Sequence, residues 1–186
     1  MNVTDRLQGK IVPVVAIRDR ATLPRLAAYM TEQGIDVIEI TFRTAFASEA
    51  IRFFAQHYPQ ICVGAGTVLD EEQLAQALDA GAQFIVSPGL DERVVAQCLA
   101  KQVCVLPGVE TASEVRRARR MGLRLVKFFP AEACGGAAKL KALAAPFADM
   151  KFMPTGGITA ANVQTYLDLP CVHCVGGTYV LPKEIV

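Results

Sequence analysis

Residues 61–87 have the sequence ICVGAGTVLDEEQLAQALDAGAQFIVS, and this stretch decides the fold. It begins and ends with short apolar runs that are bounded by turn residues. Asp70, with Gln73 three residues later, is typical of a helix N-cap, and Gly81 stands where a left-handed C-cap is needed before the second run. The stretch therefore predicts a strand, a helix and a second strand.

Short apolar runs of the same kind recur along the whole chain. There are eight of them, at residues 11–17, 37–42, 61–67, 84–87, 103–106, 125–129, 151–155 and 172–176. They start roughly 20 to 26 residues apart, and each interval fits one strand, one short helix and two loops. Because the runs are almost continuously apolar, they favour parallel strands that are buried on both faces.

The segments between the runs carry further helix signals. Thr111, with Glu114 three residues on, predicts a second N-cap with a reciprocal partner. Gly34 and Gly122 each stand between a helical pattern and the next apolar run, as C-caps do. A further set shows the spacing of a helix stripe that faces a core, namely Leu23, Leu26, Ala27 and Met30.

Eight βα-like units can form an open sheet or a closed barrel. An open dinucleotide-binding sheet usually carries the pattern G-x-G-x-x-G, and the segment 64–69, GAGTVL, lacks the last glycine. The even spacing favours a (β/α)8 TIM-type barrel, a single domain over residues 1–186, with its active site at the carboxyl ends of the strands. The final C-terminal helix of such a barrel is missing from the pattern, since the residues after 178 include Pro182.

Composition and charge narrow the class of protein. A chain of 186 residues that is 52% hydrophobic suits one compact domain. The net charge of +1 gives no overall field for nucleic acid or an acidic membrane, and the basic run 116–120 is interpreted as a solvated helix face. No signal-like or membrane-spanning segment is visible, so the cytoplasm is expected, with the six cysteines reduced. Neither the Cys171–Cys174 spacing nor His57 and His173 makes a convincing metal site.

Two residues inside the apolar runs suggest chemistry. Of seven lysines, Lys127 alone lies within a strand run. Because burial disfavours the ammonium form, such a lysine can act as a neutral nucleophile on a carbonyl carbon, or it can pair with a buried carboxylate for structure. Glu39 is the only carboxylate in the middle of a run, and alternation places it on one inward face with Thr41 and Arg43. Glu39 and Arg43 could form a structural ion pair, or they could serve as a general base and a carboxylate clamp.

Paired glycines follow the last two runs. Gly156 and Gly157 come after run seven, and Gly176 and Gly177 stand at the end of run eight. Glycine pairs let backbone N–H groups approach an anion, and the loops after strands seven and eight are the usual phosphate site of a barrel. These loops therefore predict a phosphate site, although glycine pairs also occur in plain turns.

Five segments together resemble the signature segments of the KDPG/KHG aldolase family, which comprises 2-dehydro-3-deoxy-phosphogluconate aldolases and 4-hydroxy-2-oxoglutarate aldolases. They are VIEITFRT (37–44), VGAGTV (63–68), VKFFPAE (126–132), PTGGI (154–158) and VGGT (175–178). The resemblance covers essentially the whole chain. Cys134, Thr178 and Tyr179 depart from residues that are common in the family.

The resemblance implies a role for each matching residue. Lys127 would form the Schiff base, and Glu39 would be the general base. The substrate-binding residues would be Arg43 and Thr67 for the pyruvate carboxylate, Thr155 and Phe129 lining the pocket, and Gly156, Gly157, Gly177 and Thr178 for the phosphate. The presence of Arg43 favours the gluconate substrate over its galactonate analogue.

The resemblance also implies a class I aldolase of the Entner–Doudoroff pathway. The enzyme would be a cytoplasmic homotrimer that acts on a phosphorylated keto acid and uses no metal and no organic cofactor. Two alternatives stay open from the residues alone: a metal-dependent pyruvate aldolase or phosphosugar isomerase on the same barrel, and a non-catalytic phosphate-binding barrel.

Overall fold

The computed structural model describes residues 2–182 and residue 185. The described residues form nine strands: β1 Ile11–Val15, β2 Val37–Thr41, β3 Cys62–Gly66, β4 Phe84–Val86, β5 Cys104–Leu106, β6 Gly108–Val109, β7 Leu125–Phe128, β8 Lys151–Pro154 and β9 Val175–Gly177. They also form eight α-helices: α1 Val3–Leu7, α2 Leu23–Glu32, α3 Ala47–His57, α4 Glu71–Asp79, α5 Glu92–Ala100, α6 Ala112–Arg120, α7 Gly136–Ala144 and α8 Val163–Leu167. A 3-10 helix, Arg20–Thr22, precedes α2.

The strands form two parallel sheets. Six strands pair in the order β5-β4-β3-β2-β1-β9, and three pair in the order β6-β7-β8. All registered pairs are parallel, for example Glu39 with Gly64 and Lys127 with Met153. The predicted α/β class is therefore confirmed, and the parallel strands curl into a half-barrel. Isolated parallel bridges, Phe152 with Val172 and Thr155 with Gly176, connect β8 to the segment of β9.

The predicted helix ends are confirmed at the side-chain level. Asp70 accepts a hydrogen bond from the backbone N–H of Gln73 at 2.8 Å, and Thr111 and Glu114 form a complete capping box. Gly34, Gly81 and Gly122 all have positive φ. The predicted stripe of α2 is buried as well. Local signals were sufficient for these features because each involves residues within one helical turn.

The fifth run, residues 103–106, forms β5, and a further short strand, β6, that was not predicted follows it. Pro107 separates β5 from β6, and it has no N–H to donate to a neighbouring strand. Its carbonyl still accepts from the backbone N–H of Lys127 at 3.0 Å. The eighth run begins before its strand does, because β9 starts at Val175 and Val172 makes only an isolated bridge. His173 therefore lies before the last strand rather than within it.

Alternate residues of the strands meet in an apolar cluster enclosed by the sheets. Its members are Leu7, Val12, Val37, Cys62, Phe84, Val86, Leu106, Leu125, Met153 and Cys174. Val37, Cys62, Phe84 and Leu125 are the first residues of their strands, and Leu7 belongs to α1. The short helix α1 therefore covers the end of the interior at which the strands begin. A second, larger apolar cluster lies between the strands and the surrounding helices.

No helix among residues 2–182 and 185 is long and apolar enough to cross a membrane. The prediction about a missing last helix concerns residues 179–186, of which 183, 184 and 186 lie outside the described residues, as does residue 1 of the predicted domain. Residues 178–181 form bends.

Candidate active site

Lys127 and Glu39 meet inside the curled sheets. Lys127 lies on β7 with 3% of its surface exposed, and Glu39 lies on β2 with 0% exposed. Lys127 Nζ is 3.6 Å from Glu39 Oε1, which is longer than the usual charge-assisted hydrogen bond of about 2.7–2.9 Å. The ring centroid of Phe129 lies 5.0 Å from the same nitrogen. The structure thus brings three of the predicted site residues together.

The carboxylate of Glu39 is buried without hydrogen bonds. Neither of its oxygens has a hydrogen-bond partner among the described residues. Taking a charge out of water costs several kcal/mol, and a single cation at this distance offsets that poorly. A gain in stability therefore does not explain why Lys127 and Glu39 are buried together. Buried polar groups left in this condition are typical of sites that bind or transform a ligand.

Gly66 makes room for the Glu39 side chain. Thr41 pairs with Gly66 in the register of β2 and β3, and Glu39 pairs with Gly64. A Cβ on residue 66 would overlap Glu39 Oε1 and would stand 2.7 Å from its Cδ and Cγ. These positions are far inside contact distance. The glycine at this position is therefore a condition for the carboxylate to reach Lys127.

Thr155 is the third buried polar residue of the site. It follows β8, is 5% exposed, and its hydroxyl has no hydrogen-bond partner among the described residues. A Cβ on Gly176 would overlap that hydroxyl. Gly176 therefore leaves room for Thr155 as Gly66 does for Glu39. The Thr155 hydroxyl can therefore donate to a bound molecule.

Arg43 does not lie on the strand, in contrast to the prediction that it continues the inward face of Glu39 and Thr41. The strand ends at Thr41, whose hydroxyl donates to the carbonyl of Val15 at 3.1 Å, and Arg43 is exposed in the turn that follows. Since the chain has left the sheet, strand alternation no longer governs residue 43. Arg43 still lines a cavity of about 220 Å³ together with Arg18, Thr41 and Thr178.

That cavity lies at the carboxyl ends of β1, β2 and β9. Two guanidinium groups and a threonine hydroxyl are suited to an anionic ligand. Arg18 is exposed and follows the first run directly, but it was not predicted from the sequence as a site residue. A larger cavity of about 390 Å³, lined by residues that include Phe147, Met150 and Pro170, lies where β8 begins. It is mainly apolar, and Lys127 and Glu39 are not among its lining residues.

At the two glycine pairs, the glycines themselves have no side chain that could cover their backbone N–H groups. Gly156 and Gly157 have φ of 101° and 77°, a region in which side chains are strained. A Cβ on Gly156 would lie 3.3 Å from the ring of Phe129, so this loop also borders the lysine pocket. Gly176 and Gly177 do not follow the last strand, in contrast to the prediction, but are its final residues, because their backbones still pair with β1. Gly177 is buried, and Thr178 is exposed beside it. The structure thus places both predicted loops at the same edge of the strands as Lys127.

Thr67 has an unusual backbone. It follows β3 directly, is half-buried, and has a φ of 57°. A β-branched residue in the left-handed region is strained, and such strain is common at functional sites. Because β3 pairs with β2, Thr67 lies at the edge where Glu39 and Arg43 are found.

The structure gives no sign of a metal centre in the part of the chain that it describes. No group of three or more His, Cys, Asp or Glu side chains there could hold an ion. His57 and His173 contact backbone carbonyls, those of Phe53 and Thr4. All six cysteines are free thiols.

A hydrogen bond between α8 and the loop after β7 was not predicted from the sequence. Tyr166 of α8 donates a hydrogen bond from its hydroxyl to the carboxylate of Glu132, in the loop after β7. Tyr166 is fully buried. A tyrosine in an amphipathic segment gives no sequence signal of its partner, since the two residues are 34 positions apart.

The family model described as KDPG and KHG aldolase matches residues 3–186. The chain is 44% identical over 179 residues to 2-dehydro-3-deoxy-phosphogluconate aldolase of Pseudomonas aeruginosa, covering 96% of this chain and 81% of the relative. It is also similar to the crystal structure of 2-keto-3-deoxy-6-phosphogluconate aldolase of Zymomonas mobilis with 3-phosphoglycerate. That match has 41% identity and a TM-score of 0.91, and covers 97% of this chain and 85% of the other.

A further solved structure is the KDPG aldolase of Legionella pneumophila with pyruvate captured at low pH as a covalent carbinolamine intermediate. It is 36% identical with a TM-score of 0.92, and the match covers 97% of this chain and 87% of that one.

Proposed function

Because the chain belongs to the KDPG and KHG aldolase family, we propose that it is a lysine-dependent aldolase that cleaves 2-dehydro-3-deoxy-6-phosphogluconate to pyruvate and glyceraldehyde 3-phosphate. The resemblance stated from the motifs is confirmed at the level of the family. The single observation that carries the proposal is the buried amine of Lys127, 3.6 Å from a carboxylate that has no hydrogen bonds. The same chemistry applied to 4-hydroxy-2-oxoglutarate would give pyruvate and glyoxylate.

Lys127 is assigned the role of nucleophile. Its neutral amine attacks the C2 keto carbon of the substrate and forms a carbinolamine, which loses water to give an iminium. The relative from Legionella pneumophila, which holds pyruvate as a carbinolamine, supports this assignment. The iminium then serves as the electron sink for the bond that breaks.

Glu39 is assigned the role of general base. It removes the proton from the C4 hydroxyl, directly or through a water molecule, and the C3–C4 bond breaks as the C4 carbonyl forms. The bonding electrons move into the iminium to give an enamine, and glyceraldehyde 3-phosphate leaves. The enamine is protonated at C3, and water then hydrolyses the resulting iminium to free pyruvate and the amine. The two unpartnered oxygens of Glu39 support this role, since a base needs a vacant acceptor.

The remaining residues are assigned to binding. Arg43 and Thr67 would hold the pyruvate carboxylate, and Phe129 and Thr155 would line the pocket around the iminium. The cavity beside Arg43 and the unpartnered Thr155 hydroxyl support these roles. The phosphate would bind to the backbone N–H groups and hydroxyl of the glycine loops, namely Gly156, Gly157, Gly177 and Thr178.

We extend the proposal to the architecture and the setting of the enzyme. The two sheets would close into a complete (β/α)8 barrel, a single domain over residues 1–186, and the two isolated bridges support this closure. The enzyme would be a cytoplasmic homotrimer. Six free thiols suit a reducing compartment, and Leu69, a large apolar side chain with 54% exposure, suits an interface. Light scattering of the purified chain tests the trimer, and a monomeric mass would contradict it.

A coupled assay of pyruvate release tests the function. Turnover of the phosphorylated substrate should be indifferent to a chelator, because the lysine mechanism needs no metal. The unphosphorylated analogue should have a much poorer kcat/KM, because it lacks the charge-assisted partner of the glycine loops. Failure to release pyruvate would refute the activity. Loss of turnover with chelator would favour a metal-dependent aldolase, and equal efficiency of the two substrates would refute the phosphate site.

A further inference from the structure

The loop after β7 is joined to the glycine loop after β8 by backbone hydrogen bonds. The N–H of Ala131 donates to the carbonyl of Thr155 at 2.8 Å, and the N–H of Glu132 donates to the carbonyl of Gly156 at 3.0 Å. The two loops therefore continue the pairing of β7 and β8 beyond the ends of the strands. The position of one loop depends on that of the other.

The Glu132 side chain lies against both glycines that flank it in space. A Cβ on Gly157 would stand 2.6 Å from Glu132 Cβ and 2.8 Å from its Cγ. A Cβ on Gly136 would stand 3.3 Å from Glu132 Oε1 and 3.6 Å from the Tyr166 hydroxyl. The stem of Glu132 thus occupies the space next to Gly157, and its carboxylate reaches the turn that begins α7.

Tyr166 fixes the end of that side chain. Its phenol is fully buried, so the hydroxyl would be costly to leave without a partner. Burial, and then the hydrogen bond to Glu132, raise the pKa of Tyr166 well above its usual range. The phenol therefore stays protonated and acts as the donor, and Glu132 is its acceptor.

We infer that Tyr166 and Glu132 are positioning residues that hold the Gly156–Gly157 loop in the shape that receives the substrate phosphate. The inference rests on the proposed function. Lys127 pairs with Glu39 and not with Glu132, whereas Glu132 touches Gly157 and is hydrogen-bonded to Gly156. The pair should therefore act on binding of the phosphorylated end and not on the bond-breaking step.

Tyr166→Phe tests the inference, because it removes only the hydroxyl. We expect KM for the phosphorylated substrate to rise roughly tenfold, the scale of one lost hydrogen bond to a charged group. The kcat should be retained, and so should kcat/KM for the unphosphorylated analogue and trapping of pyruvate by borohydride. Tyr29→Phe, at a half-buried tyrosine of α2, is the matched control and should leave all four quantities unchanged.

If Tyr166→Phe folds poorly, variants at Glu132 provide a second test. Glu132 is exposed, so its replacement should disturb the fold less. Glu132→Ala should reproduce the rise in KM. Glu132→Gln should not, because its amide oxygen still accepts from the tyrosine. The double variant Tyr166→Phe/Glu132→Ala should be no worse than either single variant, as expected for two partners in one interaction.

Three outcomes would overturn the inference. One is a lower melting temperature with an unchanged KM, which would make the pair purely structural. Another is an equal loss of kcat on both substrates. The third is a rise in KM for Glu132→Gln as large as that for Glu132→Ala. That result would show that the negative charge of Glu132 matters, and not its hydrogen bond to Tyr166. If the unchanged chain itself neither forms the pyruvate adduct nor turns over, the proposed function fails instead, so the two failures are distinguishable.

Discussion

The two ends of the interior differ in chemistry although the same strands build them. Where the strands begin, their inward residues are apolar, as Val37 and Leu125 are. Two residues further along the same strands stand Glu39 and Lys127, both buried and polar. Because strand side chains repeat every second residue, each pair shares one face and differs only in depth. Stability and chemistry are therefore separated along the strand direction.

The end of the interior at which the strands begin is apolar and buried. Its side chains are fully buried or nearly so, and α1 covers them with Leu7. Its buried thiols are neutral: burial raises the pKa of Cys174 well above its usual range, with smaller contributions from Cys104 and Glu39. Burial of the apolar side chains at this end stabilises the fold. The opposite end gives up part of that stability to buried polar groups with unpaired oxygens.

The largest effect should follow from changes to Lys127. Lys127→Ala and Lys127→Arg should both abolish turnover and the borohydride-trapped pyruvate adduct, because neither side chain offers an amine that can lose its proton. The fold should persist in circular dichroism, since the ammonium supplies no core packing. Peptide mapping of the unchanged chain should place one adduct on Lys127.

Lys151→Ala is the matched control from the other end. Lys151 is an exposed lysine at the first residue of β8, and its replacement should leave adduct and turnover intact. An adduct on another lysine, or turnover without an amine at 127, would contradict the contrast between the two ends.

Glu39→Gln should come next in size. The amide keeps the shape of the side chain but cannot accept a proton, so kcat should fall roughly 10²–10⁴-fold while the pyruvate adduct still forms. Steady-state kinetics and mass spectrometry measure the two results. Glu49→Gln, at an exposed glutamate of α3, should change neither. Near-normal turnover of Glu39→Gln would reduce Glu39 to a structural partner of Lys127.

Two glycines of β3 allow a direct comparison of the ends. Gly66→Ala would press on the flexible end of Glu39, which can move aside, whereas Gly64→Ala would meet the ring of Phe84. We expect Gly66→Ala to lower kcat about tenfold or more with a modest loss of stability. Gly64→Ala should lower the free energy of unfolding by about 1–3 kcal/mol and leave the kcat of folded protein largely unchanged. Equal effects of both variants on kcat and on stability would argue against a separation of chemistry and stability between the two ends of the interior.

The smallest effect should be a pH dependence of stability from the apolar end. Burial raises the pKa of Cys62 from 9.0 to about 11. The unfolded chain then loses this proton before the folded one, so the contribution is complete below pH 9 and is lost as pH rises towards 11. The loss should be on the order of 1 kcal/mol at about pH 10. Urea unfolding from about pH 7 to about pH 10 should show a different slope for Cys62→Ala than for the unchanged chain, and parallel curves would contradict the assignment.

The sign of that difference follows from proton binding. Between the two pKa values the folded chain holds the Cys62 proton and the unfolded chain has released it, so raising the pH favours unfolding. Cys62→Ala removes this term, and its decline in stability with pH should therefore be shallower.

The sequence by itself determined the features that depend on neighbours along the chain. The alternation of strand runs and helices, the caps at Asp70 and Thr111, the inward position of Glu39 and the place of Lys127 within a strand could all be predicted. Each follows from a period of 2 or 3.6 residues, or from hydrogen bonds within one turn. The five motifs together were also sufficient for the family.

Contacts between residues that are far apart in the sequence were decided only by the tertiary structure. No local pattern shows that Gly66 leaves space for Glu39, or that Tyr166 reaches Glu132. The end of β2 at Thr41 and the break at Pro107 likewise depend on which neighbour each backbone group bonds. Close packing leaves little free space in an interior, so such fits are settled by residues far apart in the chain. The sequence places the chemical groups on the correct face, and packing sets the distances at which they can act.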